Sequence, residues 1–189
     1  MTEDVRAHKA ELRALLLQRV KAQPPEERLR RSQLITAQVL ESPAFQQARV
    51  ILGYSALPYE VDTGVMLETA LAQGKRVALP RMVPASRTLV AYAIQDCRQD
   101  LEPGPHGVLQ PVASPDRAVA IETIDLVIMP GVGFDREGRR LGHGQGYYDE
   151  LLRRLPKTTP RIGLAFACQV VERIPAAAHD QPVTAVVSA

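Results

Sequence analysis

Four consecutive side chains, Leu126, Val127, Ile128 and Met129, carry no polar group, and the run stops at Pro130-Gly131. A strand exposed on one face alternates between apolar and polar residues. A short run without alternation belongs to a strand buried on both faces, as in a parallel sheet covered by helices. The segment after the run is equally constraining. Gly131, Gly133, Gly138, Gly142, Gly144 and Gly146 account for half of the chain's 12 glycines. Arg139-Arg140 lies among them, and Tyr147, Tyr148 and Asp149 close the stretch. Glycine loses more backbone freedom on folding than any other residue, and backbone brought close to a ligand is the usual reason to accept that loss. Backbone N–H groups can surround an anion, arginines can neutralise it, and a carboxylate can hold a metal. A strand, an anion cradle and a helix beginning near Tyr147 are therefore expected in that order.

The remaining pattern alternates helices with strands. Val5 to Gln23 has helical apolar spacing through Leu12, Leu15, Leu16 and Val20, and Pro24-Pro25 ends it. A second helix is expected over residues 25–41, with Leu29, Leu34, Ile35 and Val39 inward. Strands are expected at 49–56, 75–80, 89–94, 124–130, 161–166 and 183–188, with a short irregular or strand piece at 170–174. Helices are expected at 63–73 and 147–155. Residues 98–115, rich in Pro and Gly, read as a surface loop turning at Pro103-Gly104, with His106 facing solvent. This order gives an α/β fold with a mostly parallel sheet flanked by helices. The expected organisation is one domain spanning 1–189, in which a helical pair (1–42) packs on a 49–189 core.

Several function classes are excluded. There is no GxxxxGK[ST], no GxSxG and no His/Cys cluster at zinc spacing. Cys97 and Cys168 stand far apart and read as reduced thiols. With a net charge of +2, three Phe, five Tyr and no Trp, nothing points to nucleic acid. No apolar run is long enough to span a bilayer and no leader pattern precedes Val5, so a cytoplasmic protein without a membrane partner is expected.

Within the α/β pattern, the polar segment SALPYEVDT (Ser55 to Thr63) comes after the first strand, where such sheets bind ligands. Asp62 suits the N-terminus of the next helix, which leaves Glu60 as the carboxylate of interest. Gly142, Gly144 and Gly146 are spaced GxGxG, and with Arg139 and Arg140 they describe an anion site at a helix N-terminus. Tyr147 and Tyr148 read either as loop anchors or as a stacking surface. Asp149 reads as a helix N-terminal charge or a Mg²⁺ ligand, with Asp180 the best second carboxylate. Lys9 and Arg13 share a helix face, and spacing alone describes a solvated basic face.

Taken together, the chain resembles the 5-formyltetrahydrofolate cyclo-ligase (methenyltetrahydrofolate synthetase) family. The resemblance rests on KAELR (Lys9 to Arg13), YEVDT (Tyr59 to Thr63), LPR (Leu79 to Arg81) and HDQPV (His179 to Val183). It rests most on MPGVGFDREGRRLGHGQGYYD (Met129 to Asp149). It implies a NagB/RpiA/CoA-transferase-like fold. The implied reaction converts 5-formyltetrahydrofolate to 5,10-methenyltetrahydrofolate with ATP and Mg²⁺, giving ADP and phosphate, on a protein expected to act as a monomer. By resemblance, Lys9, Ala10, Glu11, Leu12 and Arg13 belong to the ATP site, which replaces the solvated-face reading of Lys9 and Arg13. Arg140, Leu141, Gly142, His143, Gly144, Gln145, Gly146, Tyr147 and Tyr148 form its phosphate loop, and Arg140 and Lys9 are the catalytic cations. Ser55, Glu60 and residues His143 to Tyr147 face the folate, and Asp149 and Asp180 hold the metal. His143 and Gln145 stand where some relatives have Arg and Lys, so this loop carries less positive charge.

Overall fold

A computed structural model describes residues 3–177 and 180–189. His179 lies outside the described residues, as does the side chain of His106. The helices are α1 (Glu3–Lys21), α2 (Pro25–Glu41), α3 (Pro43–Gln47), α4 (Gly64–Ala72) and α5 (Tyr147–Arg154). The strands are β1 (Val50–Leu52), β2 (Arg76–Val83), β3 (Thr88–Ile94), β4 (Leu101–Pro103), β5 (Leu109–Pro111) and β6 (Ala118–Val119), then β7 (Leu126–Met129), β8 (Gly133–Asp135), β9 (Arg140–Leu141), β10 (Arg161–Ala165), β11 (Val170–Val171) and β12 (Ala185–Ser188).

The main sheet has the order β12-β10-β7-β1-β2-β3-β6. Pairing is parallel from β12 through β2, and antiparallel at β3 and β6. The fold is thus α/β with a mostly parallel sheet, as the apolar run implied. All four residues of β7 are buried, and successive side chains serve opposite faces. Leu126 and Ile128 join Ile35, Val39, Phe45 and Met66 from α2, α3 and α4. Val127 and Met129 join Leu151 and Leu152 of α5 on the other side. Truncating a residue such as Ile128 to Ala would cost about 2–5 kcal/mol. None of the described helices is long and apolar enough to cross a membrane.

Details differ from the sequence expectation. Leu15, Leu29 and Leu34 are exposed. In α2 the buried stripe is Ser32, Ile35, Thr36 and Val39, so two polar residues occupy half of it, and the Ser32 hydroxyl is satisfied locally. Ser32 Oγ donates to the Arg28 carbonyl. The first strand is only three residues long, while β2 runs on to Val83 because antiparallel pairing with β3 extends its partner surface. The 98–115 segment is not an unstructured loop. It folds into a β4–β5 hairpin around a short 3₁₀ turn.

The largest correction concerns the glycine stretch. Its first half is a β-hairpin, β8–β9, which with β11 forms a separate three-stranded sheet. Residues Gly131 through Asp135 are buried. Helix α1 lies against this sheet through Leu16, which clusters with Val132, Leu141 and Ile174.

Candidate active site

Strand β1 has β2 on one side and β7 on the other. The connection through α4 leads to β2, so the chain segments leaving β1 and β7 part company. A crevice at the carboxyl ends of such strands is where open α/β sheets bind ligands. Here it is a cleft of about 450 Å³ whose lining includes Tyr54 and Ser55 after β1 and Pro130 after β7. Gly142 through Asp149, Glu60, Lys9, Arg13, Arg140, Leu141 and Asp180 also line it.

Lys9 and Arg13 reach the cleft because an interval of four residues places both on one face of α1. Lys9 is buried, and its Nζ lies 2.5 Å from Asp180 Oδ2. Arg13 Nε donates to the Gly142 carbonyl at 2.7 Å. Burial lowers the Arg13 pKa, and the nearby Asp180 charge opposes that shift. Ala10 and Glu11 lie on the exposed side of the helix and do not line the cleft. Leu12 does not line it either and packs against the Leu16 cluster. For these three the helical period, not membership of the KAELR string, decides placement.

The two arginines of Arg139-Arg140 separate. Arg139 Nη1 donates to Asp135 Oδ2 at 3.1 Å and also pairs with Glu137, so it serves the hairpin rather than the cleft. Arg140 is only 6% exposed, with Nη2 3.6 Å from Asp149 Oδ2 and its guanidinium 5.2 Å from the centre of the Tyr148 ring. Its buried Nε–H has no hydrogen-bond partner among the described residues, a state that costs about 1–3 kcal/mol. Gly142 makes room for this side chain, since a Cβ there would lie 2.6 Å from Arg140 Nη1.

The α5 N-terminus faces the same space. Gly146 is its N-cap, in the left-handed region at φ 76°, and no side chain caps the helix. Tyr147 and Tyr148 both line the cleft and both pack against the core, as loop anchors do. Burial, then the Glu60 charge, raises the Tyr148 pKa against the opposing influence of Arg140. Asp149 Oδ1 accepts from the Gln181 N–H at 3.2 Å, which ties the segment bearing Asp180 to the start of α5.

On the opposite side, Glu60 Oε2 accepts from the Leu57 N–H at 2.9 Å, and Oε1 lies 3.3 Å from His143 Nε2. Asp62 Oδ1 accepts from the Gly64 N–H at 2.9 Å, as expected of the residue that starts α4. Tyr54 donates its hydroxyl to the Val61 carbonyl, and burial drives its pKa well up. Pro80, Met82, Leu89, Val108 and Leu109 make this wall apolar.

The cleft thus combines cations, a helix N-terminus and two carboxylates with an apolar stretch formed by Pro80, Met82, Leu89, Val108 and Leu109. A family model described as the 5-formyltetrahydrofolate cyclo-ligase family matches residues 5–189. The chain belongs to the 5-formyltetrahydrofolate cyclo-ligase family. It is 34% identical to the mouse 5-formyltetrahydrofolate cyclo-ligase over 95% of this chain and 92% of that one. Against the Escherichia coli K12 protein of the same name, identity is 30% over 92% and 96%. The solved structure of the Aquifex aeolicus 5,10-methenyltetrahydrofolate synthetase superposes with a TM-score of 0.82 at 33% identity, over 95% of this chain and 89% of that chain. The chain is accordingly an enzyme, a cyclo-ligase of folate metabolism.

Sequence reasoning missed two features that bear on this cleft. One is the apolar wall, because Met82, Leu89 and Leu109 look like ordinary core or loop residues until the sheet places them. The other is Asp135. It is fully buried and accepts hydrogen bonds from the N–H groups of Glu137, Arg139 and Ile174. It holds the β8–β9 turn, and through Ile174 it anchors one end of the segment that carries Asp180. A buried carboxylate must be satisfied locally, but no local pattern announced the hairpin that encloses this one.

Proposed function

We propose that this cyclo-ligase converts 5-formyltetrahydrofolate to 5,10-methenyltetrahydrofolate, using ATP with Mg²⁺ and releasing ADP and phosphate. The observation that carries this reading is the convergence of Lys9, Arg13 and Arg140 with Asp149 and Asp180 in a cleft that also has apolar lining from Met82, Leu89 and Leu109. A formamide carbonyl is a weak electrophile and its oxygen a poor leaving group. Transfer of the γ-phosphoryl to that oxygen forms an O–P bond and breaks the bond to ADP. The folate N10 then attacks the formyl carbon, and the C–O bond breaks to release phosphate. Such chemistry needs positioning and charge neutralisation. Lys9, Arg13 and Arg140 supply positive charge to the phosphates, and the 142–146 backbone and α5 N-terminus supply N–H groups. Ser55, Glu60 and His143 face the folate.

Asp149 and Asp180 fit Mg²⁺ by donor type, since that ion is held by one or two carboxylates with phosphates and water completing its shell. No group of three or more His, Cys, Asp or Glu is gathered as a metal site among the described residues. Bound there, the ion would neutralise phosphate charge. Each carboxylate meets a cation in this structure, Asp180 meeting Lys9 and Asp149 meeting Arg140. We place the enzyme in the cytoplasm as a monomer, organised as one domain across 1–189.

The test is direct. With 5-formyltetrahydrofolate and Mg-ATP, the absorbance of the methenyl product should appear in step with ADP; a folded sample that forms neither overturns the assignment. Arg140→Ala should lower kcat/KM for ATP by about 100-fold while leaving the fold intact. Arg139→Ala should leave that constant within about twofold. Equal losses in the two variants would remove Arg140 from the phosphate site.

A further inference from the structure

The hairpin beside the apolar wall has little structure of its own. Strands β4 and β5 are three residues each and pair only with one another. An isolated two-stranded ribbon of that length is marginal in water. Yet Val108, Leu109 and Gln110 of this hairpin line the cleft. Something must fix the ribbon there.

Leu101 packs against the core and Gln110 is buried, and Arg81 adds a polar clamp from β2. Its Nη1 donates to Glu102 Oε1 at 2.6 Å on β4 and to the Pro111 carbonyl at 2.8 Å on β5. One guanidinium therefore joins both strands of the ribbon to the central sheet. A second link is weaker. Gln110 is buried, and its Oε1 accepts from the Met82 N–H at 3.4 Å. The residues on either side of Arg81, Pro80 and Met82, line the cleft, but Arg81 itself does not. Leu109 remains 47% exposed at the cleft mouth. A large apolar side chain left open beside a polar site is surface that a ligand can cover.

We infer that Arg81 is a positioning residue for the folate: it holds the 101–111 hairpin in place as the apolar roof of the substrate half of the cleft. This rests on the folate reading of the site. The aminobenzoyl ring of the folate, planar and with two apolar faces, needs a wall set at a fixed spacing. A roof that wanders binds it weakly, because ordering the roof is then charged against binding. The nucleotide half, built on α1, the 142–146 loop and α5, does not depend on the hairpin. Loss of Arg81 should therefore separate the two substrates.

Three variants test this, Arg81→Met, Arg81→Lys and Glu102→Gln, each with steady-state kinetics and with amide hydrogen exchange of the full chain. Arg81→Met should raise KM for 5-formyltetrahydrofolate about tenfold and keep KM for ATP within about twofold. Arg81→Lys, which offers a compact ammonium in place of a fork, should fall between it and wild type. Glu102→Gln should do less than Arg81→Met, since the bond to the Pro111 carbonyl remains. Exchange over 101–112 should quicken in Arg81→Met while 126–135 stays unchanged, and adding 5-formyltetrahydrofolate to the wild type should slow exchange over 101–112. Equal rises in both KM values, an unchanged folate KM beside a loosened hairpin, or no protection by folate would each overturn the inference. Should the wild type bind but not turn over 5-formyltetrahydrofolate, the proposed reaction fails by itself, and protection of 101–112 with its loss in Arg81→Met still decides the role of Arg81.

Discussion

Gly138 and Gly144 both hold φ in the left-handed region, at 80° and 92°, but they meet different neighbours. A Cβ on Gly138 would lie 2.4 Å from the Val183 carbonyl oxygen, which belongs to backbone and has little room to move. The Val183 N–H in turn donates to the Gly138 carbonyl at 2.8 Å. A Cβ on Gly144 would lie 3.5 Å from the Arg13 guanidinium, an ordinary contact with the end of a long side chain. Gly138 belongs to the packed half of the glycine stretch and Gly144 to the half that faces the cleft. The first half is scaffold, in which Phe134 is fully buried between Gly131 and Gly163. It holds the segment bearing Asp180 at two points, Ile174 through Asp135 and Val183 through Gly138. Glycine thus occupies two settings in adjacent segments, a closely packed hairpin and an open loop that lines the cleft.

That contrast can be broken by mutation. The largest effect is expected at Gly138→Ala. Left-handed backbone costs an alanine about 1–2 kcal/mol, and a forced contact in a packed site adds about 1–3 kcal/mol. Thermal unfolding should fall by about 10 °C. A variant as stable as wild type would show that the hairpin does not press on Val183.

Next comes Asp135→Asn, expected to cost about 1–3 kcal/mol through lost charge-assisted bonds. Burial pushes the Asp135 carboxyl up, but the bonds from the Ile174 and Arg139 N–H groups and the Arg139 guanidinium outweigh it. Its pKa therefore lies below the ordinary carboxylate range. A depressed pKa gives stability that is present above the unfolded-state value, about 3.9, and is lost as pH falls toward the folded-state value. Unfolding measured from pH 6 to pH 2 should show a shallower acid limb in the Asn variant. Identical slopes would mean that Asp135 carries no net linkage.

The smallest effect on stability is expected at Gly144→Ala. Strain in an exposed loop should move the unfolding temperature by only about 2–4 °C, while KM for ATP rises about fivefold. If Gly144→Ala unfolds the protein as Gly138→Ala does, the two halves are one scaffold and the distinction fails.

Much of the fold was legible because it arises from local pattern. The β7 run declared burial on both faces, and Pro24-Pro25 divided α1 from α2. Asp62 marked the start of α4, and Lys9 and Arg13 shared a face because a helix turns every 3.6 residues. Family resemblance added roles to these positions. It assigned Ala10, Glu11 and Leu12 to the site as a block, and the helical period left them outside the cleft.

The sequence by itself determined the class of sheet, the alternation of its principal helices and strands, and the supply of Lys and Arg side chains. Family resemblance singled out Arg140 over Arg139, and tertiary structure supplied the reason, since β9 pairing sends Arg140 inward while Arg139 turns to Asp135. Tertiary structure alone built the apolar wall from Met82, Leu89 and Leu109, and placed Arg81 under both strands of the hairpin. The physical reason is separation along the chain. Local pattern fixes which way a side chain points from its own element, whereas a cleft is made where distant elements meet, and only packing of the whole sheet brings Lys9 to Asp180.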